Sequence, residues 1–333
     1  MEPAAAEARR DLASPTQANA WCQLMFTAIR VLVLIVVALV AVACTGAGAT
    51  GPAASPSPEA SAPGTGGEIS YPTGANDLVL RFRYVGGFAP PSAHLMDLPV
   101  VSIHGDGTVI VPGPQIMIYP GPALPNLQRA SITPAGMQVL LAAARDAGLL
   151  GPDANYDLGG IMDASTAEFT LNAEGRVHTV SAYALMEGGG REPEMPGTND
   201  PAAADARARL SLFRGQLGSL EALLDTEIGP WTPFESDSVQ LLVTAGAPDD
   251  GQGLVQEPIA WPLDADLATF GDALPMLMEG QRCGVVAGTE VETLWPFLGE
   301  ANALTPWTEG DAAFGIAVRP LLPSETGCPT DVA

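Results

Sequence analysis

Thirteen consecutive apolar residues, Val31–Ala43, stand between Arg30 and Cys44, and no other stretch constrains the chain as strongly. A helix that crosses a bilayer needs about 20 mainly apolar residues to cover roughly 30 Å of hydrocarbon. This run is too short, and Thr45–Ser55 continues it with glycine, alanine, threonine, serine and proline rather than leucine or valine. A positive residue, an apolar stretch of about 7–15 residues and a small-residue end are the parts of a secretory signal. Residues 1–43 are therefore expected to be a signal segment, with an uncleaved single-pass signal anchor as the alternative. Residues 1–24 make a long, polar, alanine-rich preamble. Met25–Arg30 alone supplies a start and a charge beside the run, so translation is expected to begin at or near Met25.

Ala41-Val42-Ala43-Cys44 resembles the lipobox of bacterial lipoproteins, with alanine at the first position where leucine is commonest. The resemblance implies cleavage before Cys44 and a diacylglycerol on its sulfur. The first partner is then membrane lipid, at the extracytoplasmic face of the cell membrane. One acyl chain binds a membrane only marginally, whereas two or more hold a protein there. Residues 45–76 are almost wholly Gly, Ala, Ser, Pro and Thr. Such a segment buries too little surface to offset its ordering entropy. With Cys44 it reads as an anchor and tether, residues 44–76, spanning on the order of 30 Å as a flexible coil.

The chain has 14 arginines and no lysine, and a net charge of −24. Residues 1–43 contribute three acidic and three basic side chains, so the remainder keeps the whole excess. Acidity of this size serves solubility and repels phosphate backbones, so nucleic acid is not expected as a partner. Of four cysteines, Cys22 precedes the apolar run and Cys44 takes the lipid. Cys283 and Cys328 remain, an even pair in an oxidising compartment, and are expected to be joined. Two thiols without a nearby histidine cannot fill a zinc shell.

Beyond the tether the patterning predicts an α+β fold, with antiparallel sheets and helices on one face, in two small domains over residues 77–228 and 237–333. The first opens with a strand over Asp77–Tyr84, whose Leu78, Leu80, Phe82 and Tyr84 alternate. Leu98–Ile103 and Thr108–Val111 flank His104-Gly105-Asp106-Gly107, a hairpin with Asp-Gly at its turn. Pro112–Pro125, with five prolines, is a loop or edge segment. Thr133-Pro134 starts a helix that buries Met137, Leu140, Leu141 and Ala144 and stops at Gly148. Ala167–Asn172 and Val177–Leu185 form a second hairpin around Glu174-Gly175, and Gly188–Pro196 is a loop. Asp200-Pro201 starts a longer helix with a stripe of Leu210, Phe213, Leu217, Leu220 and Leu224. Gly229–Asp237 links the domains, and Trp231 and Phe234 are candidates to pack between them. In the second domain, Val239–Thr244, Cys283–Val286 and Phe314–Leu322 read as strands, with Ile259–Leu263 a further one. Thr289-Glu290-Val291-Glu292 reads as a capping box for a helix running to about Ala303.

Asp106-Gly107, the run Tyr119–Asn126, Arg282-Cys283-Gly284, Thr305-Pro306-Trp307 and Arg319–Pro323 resemble a family of uncharacterised lipoproteins from GC-rich bacteria. The matching stretches spread over residues 106–323. The resemblance implies an extracytoplasmic lipoprotein with a closing disulfide, and it supplies no activity and no catalytic residues.

No nucleophile elbow, His-Glu-x-x-His or phosphate-binding glycine loop occurs. The histidines are His94, His104 and His178. A hydrolase would need His104, with Asp106, or His178 to meet a carboxylate and a nucleophile. Asp153, Asn155 and Asp157 begin like a calcium loop, but Leu158 replaces the turn glycine and Ala164 the bidentate glutamate. Trp261, Trp295 and Trp307 are candidates for a sugar surface, with Trp295 placed in the core by its helix. Tyr119, Pro120, Pro122, Leu124 and Pro125 are the best partner-binding candidates, since prolines lower the entropy lost on binding and tyrosine anchors a contact. The alternative is a stiff segment covering a sheet edge. Together these residues point to a non-catalytic binding or envelope-structural module with no cofactor and a protein or envelope partner. The rival readings are an extracytoplasmic hydrolase and a signal-anchored protein with a calcium-stabilised domain.

Overall fold

The computed structural model describes residues 67–158, 161–185 and 200–328, all within one compact unit, Gly66–Ala333. The expected signal, Cys44 with the tether to residue 66, and the loop expected at Gly188–Pro196 lie outside the described residues. The fold is α+β, built on two largely antiparallel sheets.

The first sheet contains β1 (Leu78–Gly86), β2 (Val101–His104), β3 (Thr108–Pro112), β4 (Leu127–Ser131), β5 (Ala154–Tyr156), β6 (Ser165–Ala173), β7 (Arg176–Tyr183) and β8 (Thr232–Pro233). Their order is β5-β7-β6-β1-β2-β3-β4-β8, and only β5 runs parallel to its neighbour. One turn of helix, α1 (Pro91–His94), follows β1; α2 (Pro134–Asp146), α3 (Pro201–Leu217) and α4 (Leu220–Leu224) form the helical layer.

Alternation along β1 decides the layering. Phe82 faces the helices, stacking on Phe169 of β6 at 4.6 Å, which in turn meets Phe213 of α3 at 6.1 Å. Arg81 and Arg83 consequently project from the opposite face. The β2–β3 hairpin closes as its Asp-Gly pattern predicts, with the Gly107 amide donating to the His104 carbonyl at 3.0 Å. Gly107 has φ +86°, and a Cβ there would lie 2.3 Å from the Ile132 carbonyl oxygen, so glycine is required twice over.

Helix α2 starts where Thr133 accepts a hydrogen bond from the Gly136 amide at 3.1 Å, with Pro134 in the first turn. Its end is closed by the amides of Gly148 and Leu149 on the carbonyls of Arg145 and Ala144, and Leu149 then enters the core. The stripe expected on one long helix is divided. Leu210, Phe213 and Leu217 lie on α3, whereas Leu220 and Leu224 lie on α4, all five buried. Gly218 and Ser219 break the helix, with Ser219 at φ −147° and ψ 57°. The apolar spacing runs through the break because both pieces pack on the same core.

The expected tether ends ten residues early. Ile69, the first bulky apolar residue after the Pro/Gly/Ser stretch, is buried in the helical core. Its amide donates to Gln138 Oε1 at 2.9 Å, and its carbonyl accepts from Gln138 Nε2 at 3.0 Å. Residues 67–76 therefore belong to the folded unit.

The second sheet contains β9 (Ser238–Ala245), β10 (Ile259–Ala260), β11 (Gln281–Ala287), β12 (Trp307–Glu309) and β13 (Ala312–Pro320), in the order β10-β12-β13-β9-β11. Helix α5 (Thr289–Glu300) buries Val291, Leu294 and Leu298 against Val239, Leu241, Ile316 and Val318. The capping box is not formed. Gly288 occupies the cap, its amide held by the Asp237 carbonyl, so Thr289 is already helical and makes no cap hydrogen bond. The helix stops at Glu300 rather than Ala303, with the Ala301 amide still bonded to Phe297. The strand expected over Ile259–Leu263 is only two residues long.

Between the sheets lies a small apolar cluster of Ile110, Leu127 and Leu322 with Leu98 and Phe234. Trp231 packs instead on the helical core, its indole N–H donating to Glu221. Cys283 and Cys328 form a disulfide that ties β11 to the segment after β13. Among the described residues, no helix is long and apolar enough to cross a membrane.

Candidate functional site

The faces of β1 and β13 turned away from their helices border a cleft of about 330 Å³. Arg81 and Arg83 enter it from β1, Glu168 from β6, and Arg319 from β13 with Glu325 just beyond. Helix α1 supplies His94 from its last position, and the segment after it supplies Leu95, Leu98 and Pro99 as apolar wall and Asp97 at the rim. That segment is held from the second sheet. Gln240 Nε2 donates to the Leu95 carbonyl at 2.7 Å, and Arg319 Nε donates to the Asp97 carbonyl at 2.9 Å.

Three of the chain's 14 arginines thus converge in one place, and they are unequally paired. Arg319 makes a two-pronged contact with Glu325, both N–O distances 2.7 Å. Arg83 Nε donates to Glu168 Oε1 at 2.7 Å, opposite it in the β1–β6 register. Arg81 Nη2 is 3.9 Å from that same oxygen, beyond hydrogen-bond reach, and its buried Nε has no hydrogen-bond partner. Burial pushes the Arg81 guanidinium below its ordinary value; Arg83 and Arg319 push the same way, against Glu168 and Glu325. Arginine nevertheless stays protonated. Asp97 is hydrogen-bonded to His94 Nδ1 at 3.1 Å with its side chain 56% exposed, so water screens its charge.

Of the partner-binding candidates, Gly121–Leu124 is committed to the fold. The Ala123 amide donates to the Ala301 carbonyl at 3.0 Å, the Ala303 amide donates to Gly121 at 2.8 Å, and Leu124 packs on the second core. Pro122 bridges to Asn302, Pro120 and Pro125 are half-buried, and the Tyr119–Pro120 peptide is cis. Tyr119 itself is exposed, its hydroxyl donating to Asp250 Oδ2 at 3.4 Å. Desolvation and then the Asp250 carboxylate push that hydroxyl above its ordinary value. Ile116, Met117 and Ile118, just before it, are exposed as well, Met117 by 98%.

The histidines stand apart from one another. His104 is fully buried and hydrogen-bonded through Nε2 to Ser102 Oγ at 3.1 Å, and burial pushes its imidazole down. Asp106 does not pair with it; its carboxylate accepts from the Thr108 amide and hydroxyl and closes the hairpin turn. His178 is buried with Nδ1 3.0 Å from the Gly151 carbonyl oxygen.

The calcium pattern is drawn out along β5 rather than curled into a loop. Asp153 accepts from Arg176 and the Thr179 amide, Asn155 accepts from Ser181, and Asp157 is exposed. Among the described residues, no group of three or more Asp, Glu, His or Cys is placed to hold a metal ion. Nor do the tryptophans form a surface. Trp307 is fully buried with Trp261 edge-on at 5.8 Å, and Trp295 packs on the same core.

The molecule is a two-sheet α+β protein with an arginine-lined cleft between its layers. Comparison of the chain with protein-family models, curated proteins and solved structures found no match in any of the three.

Proposed function

We propose that this protein is a lipoprotein held by Cys44 to the extracytoplasmic face of a membrane, where it acts as a non-catalytic binding module with the arginine cleft as its ligand site. The cleft carries the reading: in a chain of net charge −24, three arginines converge there, and the nearest carboxylate oxygen to Arg81, on Glu168 at 3.9 Å, is already hydrogen-bonded to Arg83. Leaving a partly buried cation underpaired costs stability unless a ligand completes it. The Cys283–Cys328 disulfide supports the location, since such bonds persist in oxidising compartments. The exposed run Ile116–Tyr119 is the second contact surface, for an envelope partner.

Membrane fractionation and intact-mass measurement test the anchor. The native chain is expected in the membrane fraction with an acyl mass on Cys44, and Cys44→Ala in the soluble fraction or as unprocessed precursor. Unacylated native protein, or a processed Cys44→Ala chain still in the membrane, would overturn the lipid anchor.

A further inference from the structure

We propose that the cleft binds a small organic monocarboxylate, its two oxygens on the terminal nitrogens of Arg81 and its apolar part against Val85, Leu95, Leu98 and Pro99. The inference rests on reading the cleft as a ligand site and adds the chemical class of the ligand.

Charge sets the valence. Three guanidinium groups (Arg81, Arg83 and Arg319) and three carboxylates (Asp97, Glu168 and Glu325) line the cleft. Asp97 is 56% exposed at the rim, turned to His94 and screened by water, so the inner cluster of three arginines with Glu168 and Glu325 carries one positive charge over. Arg319 and Glu325 satisfy each other at 2.7 Å, and Arg83 holds Glu168 at 2.7 Å. The surplus therefore belongs to Arg81, whose Nε lacks a partner and whose Nη2 stands 3.9 Å from the nearest carboxylate. A monoanion neutralises it. A phosphate dianion would bring its second charge against Glu168 and Glu325, which like-charge repulsion disfavours.

Geometry sets the head group. A guanidinium presents a planar fork of donors that matches the two oxygens of a carboxylate, and such charge-assisted pairs are about twice as strong as neutral hydrogen bonds. The wall sets the remainder. Leu95 and Pro99 are buried, and Leu98 and Val85 are half-buried beside the arginines, so a ligand with an apolar portion gains contact that inorganic anions cannot make. At about 330 Å³ the cleft is at the small end of ligand sites.

Calorimetric titration of the full detergent-extracted chain tests this with three probes: benzoate, the neutral benzyl alcohol, and inorganic phosphate. Benzoate is expected to bind with one site per chain and the other two not measurably. Arg81→Met is expected to weaken benzoate by about tenfold or more, the loss of one charge-assisted pair. Arg81→Lys, which keeps the charge and loses the fork, is expected to fall between them and serves if the methionine variant does not fold. Equal binding of benzyl alcohol, or unchanged benzoate affinity in the Arg81 variants, would overturn the proposal. Phosphate binding in place of benzoate would overturn the carboxylate class and leave the cleft as a ligand site. Absence of binding by all three probes would remove both.

Discussion

Removing the disulfide tests the largest single covalent constraint on the fold. Cys283 and Cys328 are 45 residues apart in sequence, and the loop they close contains α5, β12 and β13, most of the second sheet's framework. In the chain-entropy treatment, releasing a loop of that length gives the unfolded chain about 4 kcal/mol of freedom. The folded state loses little in exchange. Cys283 is buried against Leu95 and Leu274, and alanine at both positions removes only the two sulfurs from that small cluster. The Cys328 amide, which donates to Gln240 Oε1 at 2.5 Å, is backbone and survives the substitution. The double variant Cys283→Ala/Cys328→Ala should therefore fold with the same sheet order and lose about 4 kcal/mol. Equilibrium unfolding in guanidinium chloride reads this directly, because Trp261, Trp295 and Trp307 all sit in the second core and their emission reports its loss. With a slope of about 4 kcal/mol per molar, the midpoint should fall by about 1 M. The wild-type chain under dithiothreitol should follow the same curve. A shift smaller than about 0.25 M would refute the reasoning, since the link would then not confine the unfolded chain.

Two further outcomes follow from single residues. Burial holds the His104 imidazole below its ordinary value, so as pH falls through about 6.5 the unfolded chain takes up a proton that the folded one refuses. Stability should be complete above that pH and decline below it, by at most about 1.4 kcal/mol per pH unit from this group. Thermal melts of wild type and His104→Asn between pH 8 and 5 should show the decline flattened in the variant. Gly107→Ala and Gly175→Ala both place a side chain at positive φ, but only the former meets backbone, the Ile132 oxygen at 2.3 Å. The losses should be about 3 and about 1 kcal/mol respectively, and equal losses in denaturant titrations would contradict the contact.

What could be read in the sequence was local. The β2–β3 hairpin followed from Asp106-Gly107, the α2 start from Thr133-Pro134 and β1 from alternation, because each depends on residues within one turn or one strand, whereas the short strands β4, β5, β8 and β12 carry no such period and were not read. The disulfide was legible too, by counting cysteines. The break between α3 and α4 was not, since the apolar spacing of Leu210–Leu224 is set by the core both pieces share, not by one continuous helix. Ile69 was hidden for a related reason: a single apolar residue in a Pro/Gly/Ser stretch gives no period, and its partner Gln138 is 69 residues on.

The cleft lies at the far end of that scale. Arg81 and Arg83 look in the sequence like the solvent face of an alternating strand, and Arg319 like one more charge near a strand end. Arg319 and Asp97, which bound the cleft together, are 222 residues apart. Which face of β1 the helices cover, and that the uncovered face lies toward β13, are decided by the packing of Phe82, Phe169 and Phe213 on one side and Ile110, Leu127 and Leu322 on the other. Short-range pattern determines whether a segment is a strand or a helix. Only the burial of distant apolar faces against each other decides which charges are left together between them.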